Sequence, residues 1–193
     1  MTQKTRKAPL SGRSQIDNEL VGQLQNVLAD TYSMMLLLQN FHWNVEGPHF
    51  KQLHEFFEEQ YQVFWSQVDV IAERIRQLGE MVEGSFKSFM ENSSIEISRT
   101  SGDGDQMLEE LITAYVMLRE QALKGLKIAG SSADEGTSDI IIDQLRIIEK
   151  YIWMCRSSLS RAERRKSHDD ENDRKSTTAQ EDQTRDFLNL SHH

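Results

Sequence analysis

Along most of this chain apolar residues recur at every third or fourth position, the spacing of helices that bury one face and wet the other. The first such stretch predicts a helix from Ser14 to about His42, capped by Ser14 or Asp17, with Leu20, Leu24, Val27, Leu28, Leu38 and Phe41 on its buried side. Asn44 to Pro48 interrupts it, because the residue before a proline avoids the helical region. A second helix is predicted from about His49 to Glu80, burying Leu53, Phe57, Tyr61, Phe64, Val68, Ile71, Ile75 and Leu78. The pattern weakens from Met81 to Ser101, where a short helix over Glu83 to Glu91 sits inside a long connection, and Thr100 to Gly104 reads as a turn. A third long helix, capped by Asp103 or Asp105, runs to about Ala129 with Leu108, Leu111, Ile112, Tyr115, Leu118, Leu123 and Leu126 as its stripe. A fourth, from Asp134 or Thr137 to about Arg164, carries Ile141, Leu145, Ile148, Ile152 and Leu159.

The two ends do not share this periodicity. Residues 1–13 are a basic arm and residues 166–193 a polar, mixed-charge tail, so the folded unit is predicted over 14–165. Four long helices with a long middle connection make an all-α, ferritin-type four-helix bundle the expected fold. Composition supports this: the 193 residues are 37% hydrophobic and include only two prolines, Pro9 and Pro48. The longest strongly apolar run, Met34 to Leu38, is far too short to span a bilayer, and nothing apolar follows the basic N-terminus as a secretion signal would. Cys155 is the one cysteine, which excludes an intrachain disulfide and fits a buried thiol in a reducing cytoplasm. Of the formal charge of −9, residues 1–13 contribute +4, residues 14–160 contribute −12 and residues 161–193 contribute −1.

The candidate chemistry lies between His42 and Gly79. His54 and Glu58 are four apart on the second helix, as are Asp69 and Glu73, so each pair presents two ligand atoms on one face. Imidazole mixed with carboxylate suits iron or zinc better than magnesium or calcium. The pair centres are fifteen residues apart, roughly 22 Å along a helix, so one straight helix cannot bring both to one metal. A two-fold axis near Val63 and Phe64 would lay the helix antiparallel to its copy and create two identical intersubunit sites.

Competing readings exist for several of these residues. Glu73 beside Arg74 and Arg76 also fits a surface ion-pair network, and Trp43 fits a core or site wall. Glu46-Gly47-Pro48-His49 mimics the helical Glu-x-x-His of larger ferritins, but Gly-Pro prevents a regular helix there, and no other such motif occurs. His192 and His193 are a terminal histidine pair on a solvated tail.

His42-Trp43, Val45, Gly47, Leu53-His54 and Glu58, followed by Asp69-Val70-Ile71-Ala72-Glu73-Arg74 and Leu78-Gly79, resemble the two signatures of the Dps family, the DNA-binding proteins from starved cells. The resemblance covers about residues 15–160 and includes Trp153-Met154. It implies a hollow dodecamer that oxidises Fe²⁺, preferably with hydrogen peroxide, and stores ferric mineral. It also implies a two-iron site built from His42, His54 and Glu58 of one subunit with Asp69 and Glu73 of its two-fold mate. Zinc is a competing occupant of such ligands. Glu58 departs from the family, in which aspartate is common at this position. Glu55 and Glu59 are candidates for mineral nucleation or simply a solvated acidic face. Asp134, Asp139 and Asp143 match in spacing the acids of the family's three-fold pores, although acids near a helix start also favour the macrodipole.

The resemblance also raises double-stranded DNA as a partner. Lys4, Arg6, Lys7 and Arg13 would give a dodecamer twelve basic arms for non-specific phosphate contact, and Arg161, Arg164, Arg165 and Lys166 form a second cluster. Three functions are therefore carried forward: a peroxide-consuming ferroxidase and iron store that protects DNA, a nucleoid-compacting structural protein with weak ferroxidase activity, and an inactive or zinc-binding cage.

Overall fold

The computed structural model describes residues 15–97 and 102–160. The basic arm with Lys4, Arg6, Lys7 and Arg13, Ser14, the side chain of Asp17, the cluster Arg161 to Lys166 and the tail 166–193 lie outside the described residues. Five helices follow one another: α1 Gln15–Asn44, α2 Phe50–Gln77, α3 Phe86–Asn92, α4 Gly104–Ser131 and α5 Glu135–Ser158. Among the described residues there is no strand, only one isolated bridge between Glu46 and Asp103. The four long helices form a ferritin-like bundle in which α1 packs on α2 and α4, and α4 on α5. The short α3 lies against α1, where Tyr32 stacks on Phe89 at 4.3 Å. No described helix is long and apolar enough to cross a membrane.

The expected face of α1 is buried from Leu20 to Phe41, and that of α2 at Leu53, Phe57, Phe64, Ile71 and Ile75, while Tyr61, Val68 and Leu78 are only half-buried. Helix ends follow local chemistry. Ser85, Asp103 and Asp134 each cap a helix, accepting from the N–H three residues on, at Ser88, Gln106 and Thr137. Gly47 and Gly79, with φ of 98° and 89°, make the turns before and after α2. Two boundaries differ from expectation. Helix α2 stops at Gln77 rather than Glu80, because Gly79 takes the left-handed conformation. Helix α5 stops at Ser158 rather than Arg164: Leu159 turns extended, with ψ of 146°, and is buried. On α4, Leu123 is 40% exposed, and the small residues Ala122, Gly125 and Ala129 are buried in its place.

Polar groups inside the bundle tie particular helices together. Tyr115 of α4 donates to the buried Gln60 of α2 at 2.5 Å. Gln144 of α5 donates to Thr31 of α1 at 2.8 Å. Asp30 of α1 is fully buried and accepts from the Ser93 hydroxyl and from both the N–H and the hydroxyl of Ser94. This fixes the connection that leaves α3. The corner between α1 and α2 is tied to the start of α4 by the Glu46 N–H donating to the Gly102 carbonyl at 2.9 Å.

Candidate metal centre

The α1–α2 corner brings His42, in the last turn of α1, against His54, in the second turn of α2. The rings stack with centroids 3.8 Å apart and planes 20° apart. His42 Nδ1 lies 2.8 Å from the His54 carbonyl oxygen, and His54 Nδ1 lies 2.7 Å from the His42 carbonyl oxygen. A carbonyl can only accept, so both Nδ1 atoms carry protons. The neutral rings then each keep a lone pair on Nε2, the arrangement in which a second hydrogen bond orients a metal-binding imidazole. The His42 carbonyl belongs to the last turn of its helix and would otherwise lack an intrahelical donor.

Glu58 follows His54 by four residues, and its Oε1 accepts from the Tyr61 hydroxyl at 3.3 Å and from Gln62 Nε2 at 3.4 Å. Tyr61 stands edge-on to His42 at 5.4 Å, and Phe50 stacks on His54 at 5.1 Å. One chain thus packs two imidazoles against Tyr61 and Phe50, with Glu58 bonded to the same Tyr61.

Asp69 and Glu73 lie further along α2, both exposed, and their side chains make no hydrogen bond or ion pair among the described residues. The ion-pair reading of Glu73 is not what is found. Arg74 bonds Asp134, Thr137 and Gln77, while Arg76 bonds the Glu80 carbonyl. At 100° per residue His54, Glu58, Trp65, Asp69 and Glu73 fall within an arc of about 100°, and Trp65 on that arc is 66% exposed. Glu58 and Asp69 remain about 17 Å apart along the helix, and no three His, Cys, Asp or Glu side chains of the described residues close on one metal position. The histidines with Glu58 and the pair Asp69 and Glu73 are separate within one chain.

At the start of α5, Asp134 is occupied as a cap and as the partner of Arg74, whose Nη2 lies 2.7 Å from its Oδ1. Burial pushes its carboxyl up, but the hydrogen bonds from Thr137 and the Arg74 guanidinium outweigh burial and hold it below its ordinary value. Asp139 is exposed, and Asp143 pairs with Arg146 at the surface. Glu55 pairs with Lys51 at 3.8 Å. Glu59 is exposed and close enough to Tyr151 to add to the effect of burial, which together raise that phenol to about 12.

A family model described as a ferritin-like domain matches residues 21–165. A DNA protection during starvation protein 2 from Bacillus anthracis is 35% identical over 145 residues, covering 75% of this chain and 99% of that protein. The chain belongs to the Dps family of ferritin-like proteins. Among solved structures, a Dps from Vibrio cholerae O1, described as a member of the ferritin-like diiron-carboxylate superfamily, aligns with a TM-score of 0.73 at 30% identity. It covers 80% of this chain and 98% of that one. A Dps from Listeria innocua soaked with zinc aligns at 0.69 and 28% identity, covering 72% and 94%.

Within this Dps chain, Tyr61, Gln62, Phe50 and Arg74 emerge from the structure rather than from the sequence. Tyr61 stands three residues after Glu58, so its bond to that carboxylate was available from helical spacing, whereas its contact with His42 comes from another helix. Arg74 gave no such signal, because Asp134 and Thr137 are sixty or more residues away.

Proposed function

We propose that this protein is a ferroxidase and iron store whose sites are completed by a second copy of the chain. Two imidazoles with free Nε2 atoms pair at one end of α2 with Glu58 one turn further on, and two unengaged carboxylates lie on the same face at the other. Laid antiparallel across a two-fold axis level with Val63 and Phe64, on the face that carries the exposed Trp65, the helices would bring His42, His54 and Glu58 of one copy to Asp69 and Glu73 of the other. The observation that carries this reading is the reciprocal His42–His54 pairing, which prepares both rings as ligands before any metal arrives.

Iron is here the substrate. Two ferrous ions at one site supply both electrons that hydrogen peroxide requires, giving two ferric ions and, with two protons, two waters, and no hydroxyl radical is released. The protein's own part is to hold the pair. Its carboxylates favour the higher oxidation state by their charge, and the Tyr61 and Gln62 donors keep the Glu58 carboxylate from turning away. Zinc fits the same donors as an unreactive competitor. Six two-fold dimers would close a dodecamer with twelve sites. Asp139 and Asp143 would draw ferrous ions towards the start of α5, and Glu55 and Glu59 would face the mineral. DNA binding belongs to the arm carrying Lys4, Arg6, Lys7 and Arg13, and would be independent of sequence and lost at high salt.

The test is anaerobic Fe²⁺ oxidation started by peroxide, comparing the unmodified protein with His54→Ala and Asp69→Ala. Both substitutions should abolish fast oxidation with assembly intact. Mixed dimers of the two should regain one site of the two, since that site takes its histidines from one chain and its carboxylates from the other. No peroxide-dependent oxidation by the unmodified protein would leave a metal-binding or DNA-packing cage. Gel mobility of DNA with and without residues 1–13 separates those two.

A further inference from the structure

The Asp134 carboxylate does not stand free at the mouth of α5. Its Oδ1 accepts from Arg74 Nη2 at 2.7 Å and from the Thr137 N–H at 3.0 Å, and its Oδ2 accepts from the Thr137 hydroxyl at 2.6 Å. Arg74 Nε donates to that same hydroxyl oxygen at 2.8 Å, and Nη1 donates to Gln77 at 3.1 Å. The two charged side chains are only 18% and 16% exposed. The guanidinium lies against Gly136, where an added Cβ would meet its atoms at 3.3–3.4 Å.

Arg74 is the residue after Glu73. Beside them α2 is anchored by Ile71 and Ile75. Apolar contact is non-directional, so it resists separation of helices better than sliding or rotation. A planar guanidinium bonded across the helices to both Asp134 and Thr137 restrains both. We propose that Asp134, acting through Arg74, is a positioning residue for Glu73 and not one of the carboxylates that draw ferrous ions inward. The inference rests on Glu73 being a ligand, as read above. It divides the three acids Asp134, Asp139 and Asp143 into one anchor and two candidates for cation attraction.

The experiment measures equilibrium Zn²⁺ affinity of the assembled full-length protein by titration, alongside thermal stability and the rate of Fe²⁺ oxidation at limiting iron. Glu73→Ala identifies the binding that depends on the shared site. Asp134→Asn keeps a capping side chain and removes the charge that holds Arg74, while Arg74→Lys keeps the charge and removes the fork. Both should lower the Glu73-dependent Zn²⁺ affinity about ten-fold or more, the usual effect of losing a group that orients a ligand. Arg74→Gln with Asp134→Asn should be no worse than the weaker-binding single variant, because the two act as a unit. Asp139→Asn should leave the affinity unchanged and slow oxidation. Unchanged affinity in Asp134→Asn overturns the proposal, whether oxidation slows, as for an entry residue, or only the melting temperature falls, as for a plain structural bond. If the unmodified protein binds no Zn²⁺ through Glu73, the ferroxidase reading itself fails and takes this one with it.

Discussion

His42 and His54 hold each other: each ring donates its Nδ1 proton to the main-chain carbonyl of the other residue while the two rings stack at 3.8 Å. The pair joins the end of α1 to the start of α2. The bond that ties the two helices together is also the bond that selects the tautomer.

Removing either ring should therefore disturb the other. His42→Ala is expected to weaken Zn²⁺ binding at His54 and to cost about 1 kcal/mol of stability, the worth of an ordinary hydrogen bond. The double variant should bind no more weakly than the worse single one. Titration of Zn²⁺ with parallel urea denaturation checks both. Additive losses in binding would mean that the rings act independently.

The Arg74–Asp134 pair predicts a pH dependence with a definite sign. A carboxyl held below its ordinary value stabilises the fold above that value and loses the contribution as pH falls through the lower, folded one. The stability gap between the unmodified protein and Asp134→Asn should be constant from neutrality down to about pH 4, the ordinary range for aspartate. Below that it should shrink. Urea denaturation over a pH series measures the gap, and one that stays constant far into the acid range would remove the ionised carboxylate from the account.

Cys155 is buried, and burial raises its thiol to about 12. Since the thiolate is the nucleophile, iodoacetamide at pH 8 should leave the native protein unlabelled and modify it fully in denaturant. Rapid labelling of the native protein would show that the α5 end opens far more readily than its packing implies.

Asp30 is the fully buried carboxylate that gathers Ser93 and Ser94. Asp30→Ala should cost about 3 kcal/mol, because hydrogen bonds to a charged group are lost and the donors are left without their acceptor. Hydrogen exchange should speed up first in residues 93–97. Exchange that rises uniformly across the chain instead would place the role of Asp30 in global stability.

Much of this was legible in the residues themselves. His54, Glu58, Asp69 and Glu73 could be put on one face of α2 because helical geometry alone sets their directions. The failures have physical reasons. Periodicity favours large apolar residues, so Leu123 was expected inside. Yet α4 packs so closely that a Cβ on Gly125 would lie 3.1 Å from Ile141, and the buried positions there go to small residues. Leu159 keeps the register of α5 and is buried, which from sequence reads as more helix, although its backbone has already turned extended. In sequence Arg74 fits an ion-pair network with Glu73, because its actual partners Asp134 and Thr137 arrive from much later in the chain.

The eleven residue steps from Glu58 to Asp69 also make α2 a ruler. One residue inserted or deleted between them would turn the second half of the helix by about 100° and slide it by about 1.5 Å. Asp69 and Glu73 would leave the face they have in common with His54 and Glu58 although all four residues were still encoded. Between those two positions the number of residues matters as much as their identity. Spacing is itself a part of the proposed site.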